Sequence, residues 1–386
     1  MARIYLDNNA TSPLDPQVLE AMLPYLREHF GNPSSVHQFG QTARKAVEEA
    51  REAVAAFLHA HPEEIVFTSG GTEADNTALL GVAAALRTRG RHVVTGAAEH
   101  PAVLRSAEVL EQRGFDVTYL RPAPDGTLEP EAVLEVLRDD TILVSLMAAN
   151  NETGVCFPVE KLGPQLRARG IVFHTDAVQA AGKIPVDVEV WQVDLLSLSA
   201  HKFHGPKGVG ALYVRRGTPL EPYLLGGGQE RGLRGGTHNT AGIVGLGRAV
   251  QLAAEHLEVM SGRVRALRDR LEQGLQEKIP ETVVNGATTQ RLPHVSNLSF
   301  LGAHGESLMI SLDLEGIAVS TGAACHSGTT APSHVLTAMG LPEQQIQGAV
   351  RFSLSRFTTE KEVEEALEIV PRVVRRLREA AGLRFF

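Results

Sequence analysis

An aspartate and a lysine in the middle of the chain have the side chains that a carbonyl cofactor requires. Asp176 closely follows the apolar run at 171–174, and Lys202 comes about 26 residues later, after the run at 195–198. A lysine amine forms a Schiff base with an aldehyde, and a carboxylate keeps a pyridine nitrogen protonated so that the ring draws electrons. The pair therefore indicates a cofactor that has both an aldehyde and a pyridine ring.

A turn of the type that binds phosphate precedes them. Residues 68–73 read Thr-Ser-Gly-Gly-Thr-Glu and lie between a strand-like run and a helical one, with Gly71 at the start of the helix. Backbone N–H groups at a helix N-terminus bind anions, although an ordinary capped turn between strand and helix would read the same way. Taken with the amine and the carboxylate, the turn points to pyridoxal phosphate.

A metal site is an alternative interpretation of the same region. His174, Asp176, His201 and His204 are all possible ligands. That interpretation leaves Lys202 and the phosphate-type turn without a function, so it is the poorer one. The histidines could also be ordinary loop residues.

The elements that position these residues predict an α/β fold. Short apolar runs alternate with helical patterns, and the polar segments 99–101, 150–154 and 175–179 follow predicted strands, where ligands bind in an open parallel sheet. The predicted strands are 65–67, 92–95, 117–120, 141–147, 171–174, 195–198 and 210–214, and the predicted helices are 36–58, 72–87, 102–112, 130–137 and 159–169, with one more from Asp15. The fold class is a mostly parallel sheet covered by helices on both faces.

The pattern changes near residue 240. One long amphipathic helix is predicted from 243 to about 278, linking two domains, and a smaller α+β unit follows it. The predicted strands of that unit are 295–300, 317–320 and 350–355, and its helices are 306–314, 333–338 and one that begins at Glu360.

Charge and composition exclude several function classes. The chain has 386 residues, 45 acidic against 37 basic, and a net charge of −8, so it offers no general positive field for nucleic acid or an anionic membrane. No stretch approaches the roughly 18 apolar residues of a membrane helix or forms a signal peptide, so we expect a cytoplasmic protein. Only two cysteines are present, Cys156 and Cys325, which excludes a disulfide framework and a zinc site built on several cysteines.

Ten motifs, in one order along nearly the whole chain, resemble those of the cysteine desulfurases, pyridoxal phosphate enzymes of aminotransferase class V with fold type I. They are DNNAT (7–11), FGNPSSVH (30–37), FTSGGTEADN (67–76), EH (99–100), NNETG (150–154), HTDAVQ (174–179), SAHKFHGPKGVG (199–210), GGGQERGLRGGTHN (226–239), STGAACHSG (320–328) and VRFSLSRFTT (350–359). The resemblance implies a large cofactor domain of residues 13–255 and a small domain of residues 1–12 and 256–386, which carries the cysteine segment and a carboxylate-binding arginine.

The resemblance also implies roles for the cofactor-binding residues. Lys202 would form the Schiff base, Asp176 would hold the pyridine nitrogen, and His100 would stack on the ring and move protons. The other expected contacts are Gln179 to the phenolic oxygen, Asn151 beside the cofactor and near the substrate carboxylate, and Gly71, Thr72, Ser199 and His201 at the phosphate, with Thr237 supplied by the second subunit of a homodimer.

Cys325 is the residue on which the implied chemistry turns. Its thiolate would attack the sulfur of L-cysteine and leave a persulfide on the enzyme and L-alanine as product, while Arg351 would bind the substrate carboxylate. The small and polar residues on either side of Cys325 favour a mobile carrier that reaches an acceptor protein. Cys156, which lies next to Phe157-Pro158, is expected to pack in the interior.

The implied function is sulfur supply for iron-sulfur cluster assembly, and for tRNA thiolation in addition. The spacing from Cys325 to Pro332 matches the subgroup associated with cluster assembly, so an iron-sulfur scaffold protein is the expected acceptor, with a cluster bound transiently through Cys325 and no resident metal. His326 and Ala331 depart from the family pattern and leave the acceptor open. The alternatives are a selenocysteine lyase, another class-V aminotransferase or lyase, or a non-catalytic scaffold.

Overall fold

The structure, a computed structural model, describes residues 3–321 and 332–382. The strands are β1 (Ile4–Tyr5), β2 (Ile65–Thr68), β3 (His92–Gly96), β4 (Asp116–Leu120), β5 (Thr141–Ser145), β6 (Val172–Asp176), β7 (Leu195–Ser199), β8 (Gly210–Val214), β9 (Thr282–Val284), β10 (Val295–Phe300), β11 (Ile317–Ala318) and β12 (Ala349–Ser353).

Helices lie between and around these strands. They are α1 (Pro16–Arg27), α2 (Gln38–Leu58), α3 (Gly71–Leu86), α4 (Pro101–Gln112), α5 (Pro130–Glu135), α6 (Val159–Ala168), α7 (Val188–Trp191), α8 (Thr240–Glu255), α9 (Leu257–Val259), α10 (Arg265–Lys278), α11 (Gly305–Leu314), α12 (His334–Ala338), α13 (Glu343–Gln347) and α14 (Glu360–Ala380). Within the described ranges, none of them is both long and apolar enough to cross a bilayer.

The central sheet has seven strands in the order β2-β8-β7-β6-β5-β3-β4. All neighbours pair in parallel except β8, which runs antiparallel to both β2 and β7. Alternate side chains enter separate cores, because Val66 and Val172 pack with α3 and α4 whereas Phe67 and Phe173 pack with α2, α6 and α8. The predicted α/β fold with helices on both faces is confirmed.

A second assembly of strands and helices has its own core. β10 pairs antiparallel with β9 and β12, and β1 pairs in parallel with β11. Ile4 and Leu6 are buried there together with apolar residues of α10, α11 and α14. The domain boundaries at residues 12/13 and 255/256 remain a prediction, which the separate cores support.

The predicted single helix at 243–278 is wrong. The chain leaves helical geometry at His256 (φ −105°, ψ 11°), and residues 260–264 form a π turn before α10 begins. The cause is that the apolar stripe must face two different cores: Val250 packs in the core of the large sheet and Leu271 in the second core. A π turn inserts one extra residue and so rotates the following helix by about 100°.

A buried ion pair fixes the loop at 226–239 to the edge of the large sheet. Arg51 of α2 donates to both carboxylate oxygens of Glu230 at 2.8 Å and to the carbonyl of Ile65 at 2.7 Å. Glu230 also accepts from Phe67 N (2.8 Å) and binds His238 Nε2 (2.6 Å). Burial alone would raise the pKa of Glu230, but the bonds from Arg51 and His238 lower it to about 2.

Glu230→Gln is expected to destabilise the protein by about 3 kcal/mol at pH 7, because it leaves the Arg51 guanidinium buried without a counter-charge. Urea unfolding measures this. Since the folded-state pKa of Glu230 is lowered, its contribution is present above pH 4.5 and lost as the pH falls towards 2, so the variant should show a flatter acid dependence than the parent protein.

Glu63→Gln is the matched control. Glu63 pairs with Arg216 at 3.4 Å, but both side chains are exposed, so its loss is expected to cost less than about 1 kcal/mol. Equal effects of the two substitutions, or the same acid dependence in Glu230→Gln as in the parent protein, would contradict the assignment.

Candidate active site

A cavity of about 200 Å³ lies at the carboxyl ends of β5, β6 and β7. Nine of the residues expected at the cofactor line it: Gly71, Thr72, His100, Asn151, Asp176, Gln179, Ser199, His201 and Lys202. A more open groove of about 750 Å³ near Phe157 and Trp191 contains none of them. The fold thus brings together residues that are spread over more than a hundred positions of the sequence.

Lys202 enters the cavity from the short turn that follows β7. Its Nζ donates to the carbonyl oxygen of Asn9 at 2.7 Å and to that of Ala10 at 2.9 Å. Asn9 and Ala10 belong to the N-terminal segment, which is therefore part of the site.

Asn9 connects four of the site's elements, a role that the sequence did not predict. Its carbonyl oxygen also accepts from Gln179 Nε2 (3.1 Å), its Nδ2 donates to the carbonyl of Asn151 (3.0 Å), and its Oδ1 binds His294 Nε2 (2.7 Å). The available signal was the DNNAT motif at 7–11, which carries part of the family resemblance. The motif did not indicate contacts with Lys202 or Gln179, because both side chains bind the backbone carbonyl of Asn9 and not its side chain.

Asp176 ends β6, and its Oδ1 accepts a hydrogen bond from Val178 N at 2.9 Å. Burial raises its pKa to about 6, while the hydrogen bond from Val178 and the charge of Lys202 act in the opposite direction. A cation at the cavity would therefore favour the ionised carboxylate.

Two more buried carboxyl groups lie near Asp176, and the sequence analysis gave neither of them a role, although Glu99 belongs to the polar segment 99–101. Asp75 of α3 is 1% exposed and Glu99, after β3, is 0% exposed. Burial raises the pKa of each well above the usual range, and the charge of Asp176 raises both further. Of the three carboxyl groups, Asp176 is the one whose ionised form is favoured by the charge of Lys202.

His100 caps the N-terminus of α4, where its Nδ1 accepts a hydrogen bond from Ala102 N at 3.1 Å. Burial, together with the positive charges of Lys202 and His334, lowers its pKa to about 4. The imidazole is thus neutral at pH 7 and carries its proton on Nε2.

The turn at 68–73 has the shape that a close approach to an anion needs. Gly70 adopts φ 153°, which side-chain-bearing residues rarely do, and a Cβ on Gly71 would lie 2.8 Å from Val178 Cγ2. Both glycines border Ser199, and the sixteen-residue helix α3 begins here. The turn therefore places the N-terminus of α3, with Gly71 and Thr72, at the cavity.

The four residues of the metal alternative are engaged otherwise. His174 is held between Ser145 Oγ (2.8 Å) and Ser197 Oγ (3.0 Å), and burial lowers its pKa to about 3. His201 binds Thr11 Oγ1 at 3.1 Å, and His204 binds the carbonyl of Pro13 at 2.9 Å. Across 3–321 and 332–382, no group of three or more His, Cys, Asp or Glu side chains could hold a metal ion.

Arg351 lies behind the cavity, in β12. Its Nη1 donates to the carbonyl of Asn151 and its Nη2 to Asp7 Oδ1, both at 2.8 Å. Its buried Nε and the Oδ1 of Asn151 have no hydrogen-bond partner within the described residues. These two polar atoms can take a further ligand.

The remaining predicted residues lie elsewhere. Thr237 is exposed and does not line the cavity. Cys156 packs against the core of the large sheet as expected, and burial raises its pKa to about 12. Cys325, His326 and Ala331 lie outside the described residues.

The donor set of the cavity fits pyridoxal phosphate. Four kinds of group surround one space. A lysine amine suits an aldehyde, and a buried carboxylate that a nearby cation would ionise suits a pyridine nitrogen. A glycine turn at a helix N-terminus suits a phosphate, and a buried amide oxygen without a partner among the described residues suits a polar substituent.

Comparisons with known proteins agree with this geometry. The family model described as aminotransferase class V matches residues 4–366. A cysteine desulfurase of Trichormus azollae is 51% identical over 378 residues, which is 98% of this chain and 94% of that protein. Among solved structures, a NifS-like protein superposes with a TM-score of 0.92 at 41% identity over 97% of this chain and 100% of its own.

A further solved structure is that of SspA in complex with cysteine. It superposes with a TM-score of 0.82 at 38% identity and covers 92% of this chain and all of its own. On these matches over nearly its whole length, the chain belongs to the aminotransferase class-V family and, within it, to the cysteine desulfurases.

Proposed function

We propose that this protein is a pyridoxal phosphate-dependent cysteine desulfurase that converts L-cysteine to L-alanine and delivers the sulfur, as a persulfide on Cys325, to iron-sulfur cluster assembly. The observation that carries the proposal is the placement of Lys202 and Asp176 in one cavity beside the N-terminus of α3. The membership in a family of pyridoxal phosphate enzymes supports it.

The cofactor would be held by residues of the cavity. Lys202 would bind its aldehyde carbon, Asp176 its pyridine nitrogen, Gln179 its phenolic oxygen, and the turn at 70–72 with Ser199 and His201 its phosphate. When bound, pyridoxal phosphate withdraws electron density from the attached amino acid. Asp176, whose ionised form the charge of Lys202 favours, would supply the negative charge that keeps a proton on the pyridine nitrogen.

His100 and Lys202 are the groups that would move protons in the cavity. His100 accepts a hydrogen bond at Nδ1 in the cap of α4, so its proton is held on Nε2. Because the ring is neutral at pH 7, it would stack on an aromatic surface without a charge penalty and donate a hydrogen bond from Nε2, while a proton would be taken up at Nδ1 when the bond from Ala102 opens. The Lys202 amine, when not bound to the cofactor, would be held by the carbonyls of Asn9 and Ala10.

The sulfur-transfer step is redox-neutral and needs no further reactant. The thiolate of Cys325 attacks the sulfur of L-cysteine, an S–S bond forms and the Cβ–S bond breaks. The electron pair stays with Cβ, which takes up a proton to give L-alanine. Cys156 is unsuited to this role, because burial raises its pKa to about 12 and keeps it protonated.

Substrate binding is proposed at the wall formed by Asn151 and Arg351. The Nε of Arg351 is a buried donor without a partner among the described residues, so a substrate carboxylate would complete the guanidinium's hydrogen bonding. The Oδ1 of Asn151, which only accepts, would need a donor of the ligand instead. The family member solved with cysteine supports L-cysteine as the substrate.

A homodimer is proposed from the exposed apolar side chains of one chain. Phe30, Val36 and Leu225 are each more than three-quarters exposed, and large apolar side chains left exposed on one chain are typical of a protein–protein interface. Leu225 immediately precedes the glycine-rich loop that carries Thr237. The buried Arg51–Glu230 pair holds this loop in place, which supports a role for Thr237 at the phosphate of the second subunit.

Lys202→Ala is expected to abolish covalent capture of the cofactor, because it removes the amine that would form the Schiff base with the cofactor aldehyde. Treatment of the holoenzyme with borohydride followed by peptide mass spectrometry measures this. Lys207→Ala is the control, since Lys207 is exposed five positions away. Cofactor trapped on another lysine in the parent protein would contradict the role of Lys202.

Cys325→Ser should lower sulfide release from L-cysteine under reducing conditions by at least ~100-fold, as expected when the nucleophile of a covalent mechanism is removed. Cys156→Ser should leave the rate unchanged, because that thiol packs and does not react. An undiminished rate in Cys325→Ser would refute the persulfide mechanism while leaving the cofactor site intact.

Arg351→Lys should lower kcat/KM for L-cysteine by about 10- to 100-fold, which corresponds to roughly 1.5–3 kcal/mol for a lost charged hydrogen bond. The loss should fall mainly on KM, since the guanidinium binds the carboxylate and not the reacting sulfur. Arg372→Lys, on the exposed face of α14, serves as control. An unchanged KM in Arg351→Lys would place the carboxylate elsewhere.

A further inference from the structure

A second buried lysine lies directly behind Lys202. Lys183 is 5% exposed and belongs to the segment after β6 that also carries Gln179. Its Nζ donates to the backbone carbonyl of Lys202 at 2.7 Å and to that of Ala181 at 3.3 Å. The turn that presents Lys202 is thus anchored from behind by another amine.

The groups that face Lys183 are basic. Lys202, Arg356, His204 and His256 border the same narrow cavity as Lys183. The charge of Lys183 also acts on His201 and His294. The acid Asp15 forms an ion pair with Arg356, so the Arg356 guanidinium balances its negative charge. Burial and, after it, the charges of Lys202 and Arg356 lower the pKa of Lys183 to about 7.

Two amines that repel each other titrate as a pair. A like charge nearby disfavours the protonated form, so a pair of close lysines releases its first proton below the usual lysine range. A lysine reacts with an aldehyde only as the neutral amine, and a neighbouring cation is a known means of producing that form. The repulsion between the two amines is reciprocal, so a protonated Lys183 disfavours the protonated form of Lys202.

We propose that Lys183 is a positioning residue for Lys202, which fixes the turn through the Lys202 carbonyl and, by its positive charge, favours the neutral amine that captures pyridoxal phosphate. This inference rests on the proposed function, in which Lys202 binds the cofactor aldehyde. It assigns a role to the Lys183 amine, which lies outside the active-site cavity and which the proposed reaction does not use.

The test measures how fast the apoenzyme captures pyridoxal phosphate as a function of pH, followed by visible absorbance and by the amount of cofactor fixed on the Lys202 peptide with borohydride. Lys183→Gln can still donate to the carbonyl but carries no charge. Its profile should move to higher pH by at least about half a unit, which is roughly threefold slower capture at pH 7. Lys183→Arg always carries a charge, so its profile should move to lower pH.

Lys183→Met loses the donor as well as the charge and should capture the cofactor more slowly than Lys183→Gln at every pH. Lys161→Gln, at an exposed lysine, should match the parent protein. If Lys183→Gln or Lys183→Arg does not fold, the pH profile of the other variant is enough to test the role of charge. A Gln profile that coincides with the parent's, or an Arg profile that does not move down, overturns the role of charge, and equal rates for Met and Gln overturn the anchoring role.

The same measurement separates this inference from the proposed function. If the parent apoenzyme captures pyridoxal phosphate on Lys202 and the variants behave identically to it, only the role of Lys183 is overturned. If the parent protein captures none, the proposed function is overturned and the role of Lys183 with it.

Discussion

The hydrogen bonds from the Lys202 amine to the carbonyls of Asn9 and Ala10 are the interaction on which the rest of the site depends. They tie the N-terminal segment to the centre of the large sheet, while Ile4 and Leu6 of the same segment are buried in the second core. The site is therefore formed only when both cores are in place. Backbone carbonyls suit this purpose because they hold an amine without the permanent charge of a carboxylate.

Charge control in the cavity follows from burial. Three buried carboxyl groups act on one another, and burial raises the pKa of Asp75 and Glu99 well above the usual range against the hydrogen bonds from Ser197 and Met147. Asp176 alone has a cation, Lys202, that lowers its pKa against the effect of burial. On the other side of Lys202, the buried amine of Lys183 extends the same principle, since each charge in this low-dielectric region sets the protonation of its neighbours.

The sequence predicted those parts of the site that depend on residue type at a strand end. Asp176 and Lys202 could be identified because the pattern of strands placed them at one edge and their side chains indicate a chemistry. Asn9 could not, because it contacts Lys202, 193 positions away, through its carbonyl, which every residue possesses. The burial of Asp75 could not be predicted either, because an acid in a helix usually faces solvent. The break in the helix predicted at 243–278 could not be predicted because it arises from the packing of its two halves in different cores.

The central claim is that a cofactor held by Lys202 and a thiol at Cys325 act in one reaction. The most direct measurement is a single turnover of the holoenzyme with one equivalent of L-cysteine and no reductant, analysed by peptide mass spectrometry and alanine quantification. We expect one added sulfur on the peptide that contains Cys325, none on that of Cys156, and an equal amount of L-alanine. Alanine formed without protein-bound sulfur, or sulfur bound at Cys156, would contradict the claim.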